Sequence, residues 1–299
     1  MPKVPKESTM IQPIRRVAAI HDLSGFGKAS LTVVIPILST MGIQVCPLPT
    51  AILSTHSKFK GFHMHDLTDE MEPIIEHWKS LGLRFDAIYS GFLGSARQIE
   101  IVERFISEFR TSETLVVIDP VMGDEGRLYS TMDENMVKGM RRLVASAGII
   151  TPNLTELAFL IGEDYRTDLP ESEARAWIQR AIDLGPETII LTSVPQQGLP
   201  RRTAVLAYSK TDGRCWKVSC DYIPANYPGT GDAFASIITG SLLQGDSLPI
   251  ALDRAVQFIS YAIRATFGYQ QDATEGLLLE RVLGNLHAPV QVSSYELLD

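Results

Sequence analysis

The sequence predicts an α/β fold: three layers, α/β/α, around a mostly parallel central sheet. Three observations predict it. Strand-like and helical segments alternate at about 30-residue spacing, the signature of a helix-covered parallel sheet. Two runs, Leu115-Val-Val-Ile118 and Thr188-Ile-Ile-Leu191, are apolar almost throughout, as suits strands buried on both faces. No linker rich in Pro, Gly or Ser, no repeat and no low-complexity segment interrupts the pattern. Residues 16–299 therefore read as one domain, behind a tail over 1–15 that is expected to be flexible.

The elements follow in order. Residues 16–20 (RVAAI) form a buried strand, and Ser24-Gly-Phe-Gly27 reads as a glycine turn after it. Residues 29–41 are helical in spite of Pro36, and Gly42 ends them. Strands are expected at 44–48 and 86–90, with a helix at 66–81 between them that stops at Gly82. Ile99, Val102, Ile106 and Phe109 share one face of a helix at 95–109. The 114–119 strand ends in an acid, and helices follow at 133–145, 154–161 and 171–184 around a short strand at 147–151. After the 188–192 strand, segments 203–208 and 214–219 form a hairpin about Thr211-Asp-Gly213. Three helices, at about 230–244, 248–267 and 276–286, close the chain.

Composition excludes several classes. The chain has 299 residues, 45% hydrophobic and 21% charged, enough for a large core. A net charge of −8 argues against nucleic acid or an anionic membrane as a partner. Cys46, Cys215 and Cys220 are odd in number and widely spaced, so they read as thiols of a reducing cytoplasm rather than a disulfide framework. Residues 1–16 carry three prolines and no apolar core of a signal peptide, and no run reaches membrane-spanning length.

Several motifs come close and fail. Gly25-Phe-Gly27-Lys28 would need a glycine at Asp22 and a hydroxyl at Ala29 to make a Walker A loop; a dinucleotide fingerprint fails at Ser30. His56, His63 and His65 near Asp66 and Asp69 match no standard metal spacing and read as ordinary polar histidines. Ser95 and Ser193 sit in no nucleophile elbow.

Four other segments point to one chemistry. In Asn226-Tyr-Pro-Gly-Thr-Gly-Asp-Ala-Phe234 a glycine-rich turn opens a helix whose first turn carries Asp232. The N–H groups at such a start have no intrahelical partner and can hold an anion, while the acid takes a proton from a hydroxyl. The same residues also suit an ordinary capped helix, with Thr230 as cap and Asp232 favoured by the helix dipole. Asp119-Pro-Val-Met-Gly-Asp124 places two acids past a buried strand. In Thr151-Pro-Asn-Leu-Thr-Glu156, Asn153 and Glu156 share a face at a helix start. Thr192 and Ser193 end a strand. Phosphoryl transfer needs a positioned hydroxyl, a base, a Mg²⁺ site and an electropositive cradle. Asp119, Asp124 and Glu156 offer carboxylates for the metal and Asp232 offers the base.

With these segments, over about residues 16–287, the chain resembles the ribokinase superfamily and, within it, the pyridoxal/pyridoxamine kinases. GTGD, DPVMGD, TPNxxE and Ser90-Gly-Phe-Leu-Gly-Ser95 carry the resemblance, with Pro49-Thr-Ala-Ile-Leu-Ser-Thr-His-Ser57 on the substrate side. The resemblance implies ATP-dependent phosphorylation of the 5′-hydroxymethyl group of a B6 vitamer. It implies Asp232 as base, the N–H groups of Gly229, Thr230 and Gly231 as anion hole, and Mg²⁺ organised by Asp119 and Glu156 largely through water. Asn153 falls near the phosphates, Thr192 and Ser193 along ATP, and Asp22, Ser57 and Phe92 at the pyridine ring with His56 beside them. A cytoplasmic homodimer working on small molecules is implied too; a monovalent-cation requirement is left open.

Two departures stand out. Asp22 replaces a serine common in pyridoxal kinases, and would hold a protonated pyridinium, favour the amine form through charge, or suit a pyrimidine. The 123–126 loop after Met122 is short. The residues thus leave two other readings: a hydroxymethylpyrimidine kinase with the same GTGD turn, and a non-catalytic vitamer or nucleotide sensor, against which the retained Asp232 argues.

Overall fold

The computed structural model describes residues 13–269, 271–290 and 294–298; most of the expected tail lies outside them. In chain order the elements are β1 (Arg16–Phe26), α1 (Leu31–Thr40), β2 (Gln44–Thr55), β3 (Met64–Asp66), α2 (Thr68–Ser80), β4 (Ala87–Ser90), α3 (Ala96–Phe109), β5 (Leu115–Ile118), β6 (Gly123–Asp124), β7 (Arg127–Leu128), α4 (Glu134–Val144), β8 (Ile149–Ile150), α5 (Leu154–Ile161) and α6 (Glu171–Ile182). They continue with β9 (Thr188–Pro195), β10 (Arg202–Ser209), β11 (Arg214–Asp221), α7 (Thr230–Leu243), α8 (Leu248–Phe267), α9 (Leu279–Val282) and β12 (Tyr295–Leu298).

Ten strands form one sheet in the order β12-β11-β10-β9-β8-β5-β4-β1-β2-β3, and β6 and β7 form a separate small hairpin. The six strands from β9 to β2 run parallel, and the three at one edge and β3 at the other are antiparallel. Alternate strand residues feed two cores. Ala18, Ile20, Ile88, Val116 and Ile118 pack against α2 to α6; Val17, Ala19, Tyr89 and Val117 pack against α1, α7, α8 and α9. This is the doubly covered sheet that the uninterrupted apolar runs predict.

Three differences matter for function. The turn expected at residues 24–27 is strand as far as Phe26, because β2 also runs on and pairs with it (Leu23 with Ile52, Phe26 with Thr55). Gly25 serves close approach instead: a Cβ there would lie 3.1 Å from the Ser54 carbonyl oxygen, whereas Gly27 alone takes a left-handed φ of 84°. The helix expected at 276–286 is only the four residues of α9 between 3-10 turns at Ala273–Glu275 and Leu283–His287. The edge strands β3 and β12 are too short to announce themselves in the sequence.

Candidate active site

Sheet order sets the layout of the site. Thr151 and Asn153, Asp119 and Ser90 stand at or just past the carboxyl ends of β8, β5 and β4, level with Thr192 and Ser193 in β9 and with His21 and Asp22 in β1, and make one row. Ligands of open α/β sheets bind at this edge. The amino end of α7 reaches the middle of the row: a Cβ on Gly231 would lie 3.8 Å from Asp119 Oδ2.

The start of α7 is free to receive an anion. Its N-cap is Gly229, in a left-handed conformation (φ 76°), and no side chain caps the helix. The expectation of Thr230 as cap is overturned, because its hydroxyl donates to the Tyr227 carbonyl oxygen at 2.6 Å. The first-turn N–H groups therefore keep their donors for a ligand.

Asp232 is the acid of that turn. Its Oδ2 accepts the Ser30 backbone N–H at 2.8 Å, and its Oδ1 lies 3.9 Å from His21 Nδ1. Burial raises its pKa to about 6, with the Asp22 charge adding and the Ser30 N–H opposing. The His21 ring is fully buried and edge-on to Tyr89, with ring centroids 4.4 Å apart. Neither of its nitrogens has a partner in normal geometry, and burial, opposed by the nearby Tyr89 backbone, drops its pKa to about 3. Asp232 thus faces a neutral imidazole, not a cation.

Asp119, just past β5, is buried and accepts the Thr151 hydroxyl at 3.1 Å. Burial, then the Asp232 charge, raises its pKa to about 8. Glu156 is also buried. It forms a capping box with Asn153: Glu156 Oε2 accepts the Asn153 N–H at 2.8 Å, and Asn153 Oδ1 accepts the Glu156 N–H at 2.9 Å. Its Oε1 accepts the Met122 N–H at 3.2 Å. Asn153 Nδ2 donates to the Gly123 carbonyl, tying the short 123–126 loop to α5. Burial and the Asp119 charge push the Glu156 pKa well up.

Asp124 stands apart on β6, half-exposed, accepting from the Glu125 N–H and from Asn226 Nδ2 at 3.4 Å. Among the described residues no three His, Cys, Asp or Glu side chains gather closely enough to hold a metal directly, so Asp119, Asp124 and Glu156 make no direct cage. A divalent cation nonetheless fits the donor chemistry. Asp119 and Glu156 are buried acids; the Asp119 charge raises the Glu156 pKa and the Asp232 charge raises that of Asp119, and a cation with its waters relieves that opposition.

On the acceptor side, Asp22 is buried, and its carboxylate accepts the Ser30 hydroxyl at Oδ1 and the Ser24 hydroxyl at Oδ2. Burial raises its pKa against those two donors. Ser30 touches both Asp22 and Asp232, and so joins the two ends of the site. The backbone of Phe92 accepts from Thr50, and its half-buried ring packs on the core. Ser57 is exposed. His56 has both nitrogens committed: Nε2 donates to the Thr274 carbonyl at 2.6 Å and Nδ1 accepts the Lys58 N–H at 3.3 Å. It straps the loop after β2 to the 273–275 turn. His63 and His65 are exposed, as expected of surface histidines.

Thr192 donates its backbone N–H to the Pro152 carbonyl at 3.0 Å, and Ser193, expected to end the strand, instead takes a positive φ of 60° inside β9, where the pairing with β10 shifts register. Sequence reasoning missed Ser30, Lys58 and Tyr129, and placed His21 only as a polar residue at a strand end. Tyr129 is exposed; burial of part of its ring, then the charges of Glu156, Asp124, Asp119 and Asp232, raises its pKa. It also missed a crevice of about 480 Å³ past β11, lined by Arg201, Asp221, Tyr222, Ile223, Arg264 and Phe267. No described helix is long and apolar enough to cross a membrane.

Comparisons with known proteins bear on the family and the fold. The family model for phosphomethylpyrimidine kinase matches residues 38–276. A pyridoxine/pyridoxal/pyridoxamine kinase of Bordetella avium is 30% identical over 258 residues, covering 84% of this chain and 85% of that one. A Bacteroides thetaiotaomicron protein that bears the phosphomethylpyrimidine kinase name, crystallised with pyridoxal, is 58% identical with a TM-score of 0.93, over 95% of this chain and all of that one. Pyridoxal kinase from Lactobacillus plantarum is 29% identical with a TM-score of 0.84, over 92% and 97%.

Proposed function

The chain belongs to the phosphomethylpyrimidine kinase family, pyridoxal kinases included, and from that premise we propose that it moves the γ-phosphoryl group of ATP to the 5′-hydroxymethyl group of a B6 vitamer. One observation carries the reading: an acid with a pKa near neutrality stands in the first turn of a helix whose donors are uncapped. Asp232 takes the hydroxyl proton as the oxygen attacks phosphorus and the bond to the ADP oxygen breaks. The N–H groups of Gly229, Thr230 and Gly231 hold the charge that develops.

Mg²⁺ would be held by Asp119 and Glu156, largely through water, with Asp124 at the rim, and it neutralises phosphate charge when bound. Asn153, Thr192 and Ser193 line the phosphates. The nucleotide base takes the crevice past β11, where Tyr222, seven residues before Gly229, and Phe267 of α8, each over half exposed, offer aromatic surface. Asp22, Ser57, Phe92 and the strap residue His56 form the acceptor side. Residues 16–298 act as one kinase unit, since one sheet collects strands from both ends of that span. A cytoplasmic homodimer belongs to the reading by resemblance alone, and sedimentation tests the dimer.

The family model and the carboxylate of Asp22 favour a second acceptor, hydroxymethylpyrimidine. A panel of pyridoxal, pyridoxamine, pyridoxine and hydroxymethylpyrimidine with Mg-ATP separates the two. Turnover confined to the pyrimidine overturns the B6 assignment, and tight vitamer binding with no ADP formed supports a sensor.

A further inference from the structure

The site gathers five carboxylates, from Asp22, Asp119, Asp124, Glu156 and Asp232, yet the reaction brings it a highly charged anion. Helix-start N–H groups supply only partial positive charge. A transferring phosphoryl group needs more, and a fixed cation is the usual provider.

Lys58 lies where that cation is wanted. Its Nζ is 2.9 Å from Asn226 Oδ1, and Asn226 Nδ2 is 3.4 Å from Asp124 Oδ2. Asn226 precedes the Gly229 cap by three residues, and Asp124 belongs to the hairpin that follows Asp119. The root of Lys58 is on the other side of the site, next to Ser57 and His56. Its backbone N–H is held by His56, which is tied to Thr274 and packed on Phe59 at 4.8 Å between centroids. The side chain therefore bridges the acceptor loop and the phosphate-binding turn.

Its bonding is incomplete. Burial lowers the Lys58 pKa, while Asp124 and Glu125 act against that. Among the described residues its ammonium makes no ion pair, and its hydrogen bond goes to a neutral amide. Lys58 is exposed, and an ammonium held only by a neutral amide gains by exchanging that acceptor for a charged phosphoryl oxygen. The four-carbon stem gives the reach for that exchange.

We propose that Lys58 is a further catalytic residue, whose ammonium binds the phosphoryl group in flight between ATP and the acceptor hydroxyl. Resting on the kinase reading above, the role involves no bond to Lys58 and no loss of its proton. The hydroxyl proton goes to Asp232, the new O–P bond forms, and the old one breaks to release ADP. Asn226 holds the ammonium in register until the nucleotide arrives.

Full-length wild type, K58M, K58Q and K58R are compared on the four-alcohol panel, with affinities for ADP and for a non-hydrolysable ATP analogue measured by calorimetry. K58M and K58Q are expected to lose about 10²-fold in kcat and to lose most of any preference for the ATP analogue over ADP, while ADP affinity stays within about threefold and so reports a folded site. K58R is expected to recover at least about tenfold of the loss, by restoring charge. Turnover by K58M or K58Q within about threefold of an active wild type overturns the role and leaves the kinase reading standing. A wild type that phosphorylates none of the four alcohols sinks the kinase reading instead; the nucleotide affinities then decide on Lys58 alone, and an unchanged analogue-to-ADP ratio overturns it.

Discussion

The two ends of the site are built in opposite ways. At the phosphate end, Asp119, Glu156 and Asp232 follow or begin regular elements, and their geometry is held by backbone N–H groups and the Thr151 hydroxyl. At the acceptor end, Asp22 is held by two serine hydroxyls, and His56, Ser57 and Lys58 ride on a loop strapped to Thr274. The phosphate end stores electrostatic opposition: the buried acids Asp119 and Glu156 and the partly buried Asp232, all with raised pKa values, wait for cation and anion. At the acceptor end, Asp22, itself a buried acid with a raised pKa, and His56 are held by their own hydrogen bonds, and Lys58 alone rests on a neutral amide. Chemistry shared by a family suits the rigid end, and choice of acceptor suits the end whose side chains can be exchanged without disturbing a helix start.

The comparison breaks first at Asp232. An Asp232→Asn enzyme is expected to lose about 10²–10⁴-fold in kcat with an unchanged circular dichroism spectrum. Near wild-type turnover would mean that the rigid end holds phosphate but supplies no base.

The pH profile is the next test. Asp232 must be ionised to act, and burial puts its pKa at about 6. The logarithm of kcat/KM should be flat above that value and fall by about one unit per pH unit below it. His21, with its pKa near 3, stays neutral across the range and adds no second limb. A profile flat to pH 5 removes Asp232 from the rate equation.

At the acceptor end, Asp22→Ser should change the ratio of kcat/KM between pyridoxal and hydroxymethylpyrimidine by about tenfold, while the KM for ATP holds within about twofold. An equal loss on every alcohol would show that Asp22 works through Ser30 on Asp232 rather than on the ring.

The smallest effect concerns stability. Folded Asp119 keeps its proton to about pH 8, whereas its ordinary value is 3.8. Its contribution to stability is full below about pH 4 and is lost as pH rises through about 8. Asparagine escapes that loss, so metal-free Asp119→Asn should melt at least about 2 °C above wild type at pH 8.5, with the gain shrinking toward pH 4. A gain independent of pH would count against a buried charge there.

Much of the phosphate end could be read from the chain because its cues are local. A glycine-rich turn before an apolar-periodic stretch is a helix start wherever it packs, and an acid after an apolar run is a strand-end acid. Asn153 and Glu156 sit three apart, the spacing of a capping box. The acceptor end was harder. Gly25 looked like a turn but is strand, since β2 continues beside it, and the short strands β3 and β12 exist only through their partners. The Thr230 hydroxyl seemed a cap until Tyr227 took it.

By itself the sequence determined an apolar parallel core, a glycine-opened helix start and the acids at the ends of strands, because periodicity and backbone chemistry act over a few residues. Tertiary structure alone decided that the Ser30 N–H meets Asp232 across 202 positions, that Lys58 reaches Asn226 across 168, and that the buried Asp119 and Glu156 and the partly buried Asp232 feel one another's charge. Those outcomes depend on distance and on the exclusion of water, and neither is a property of a short stretch of chain.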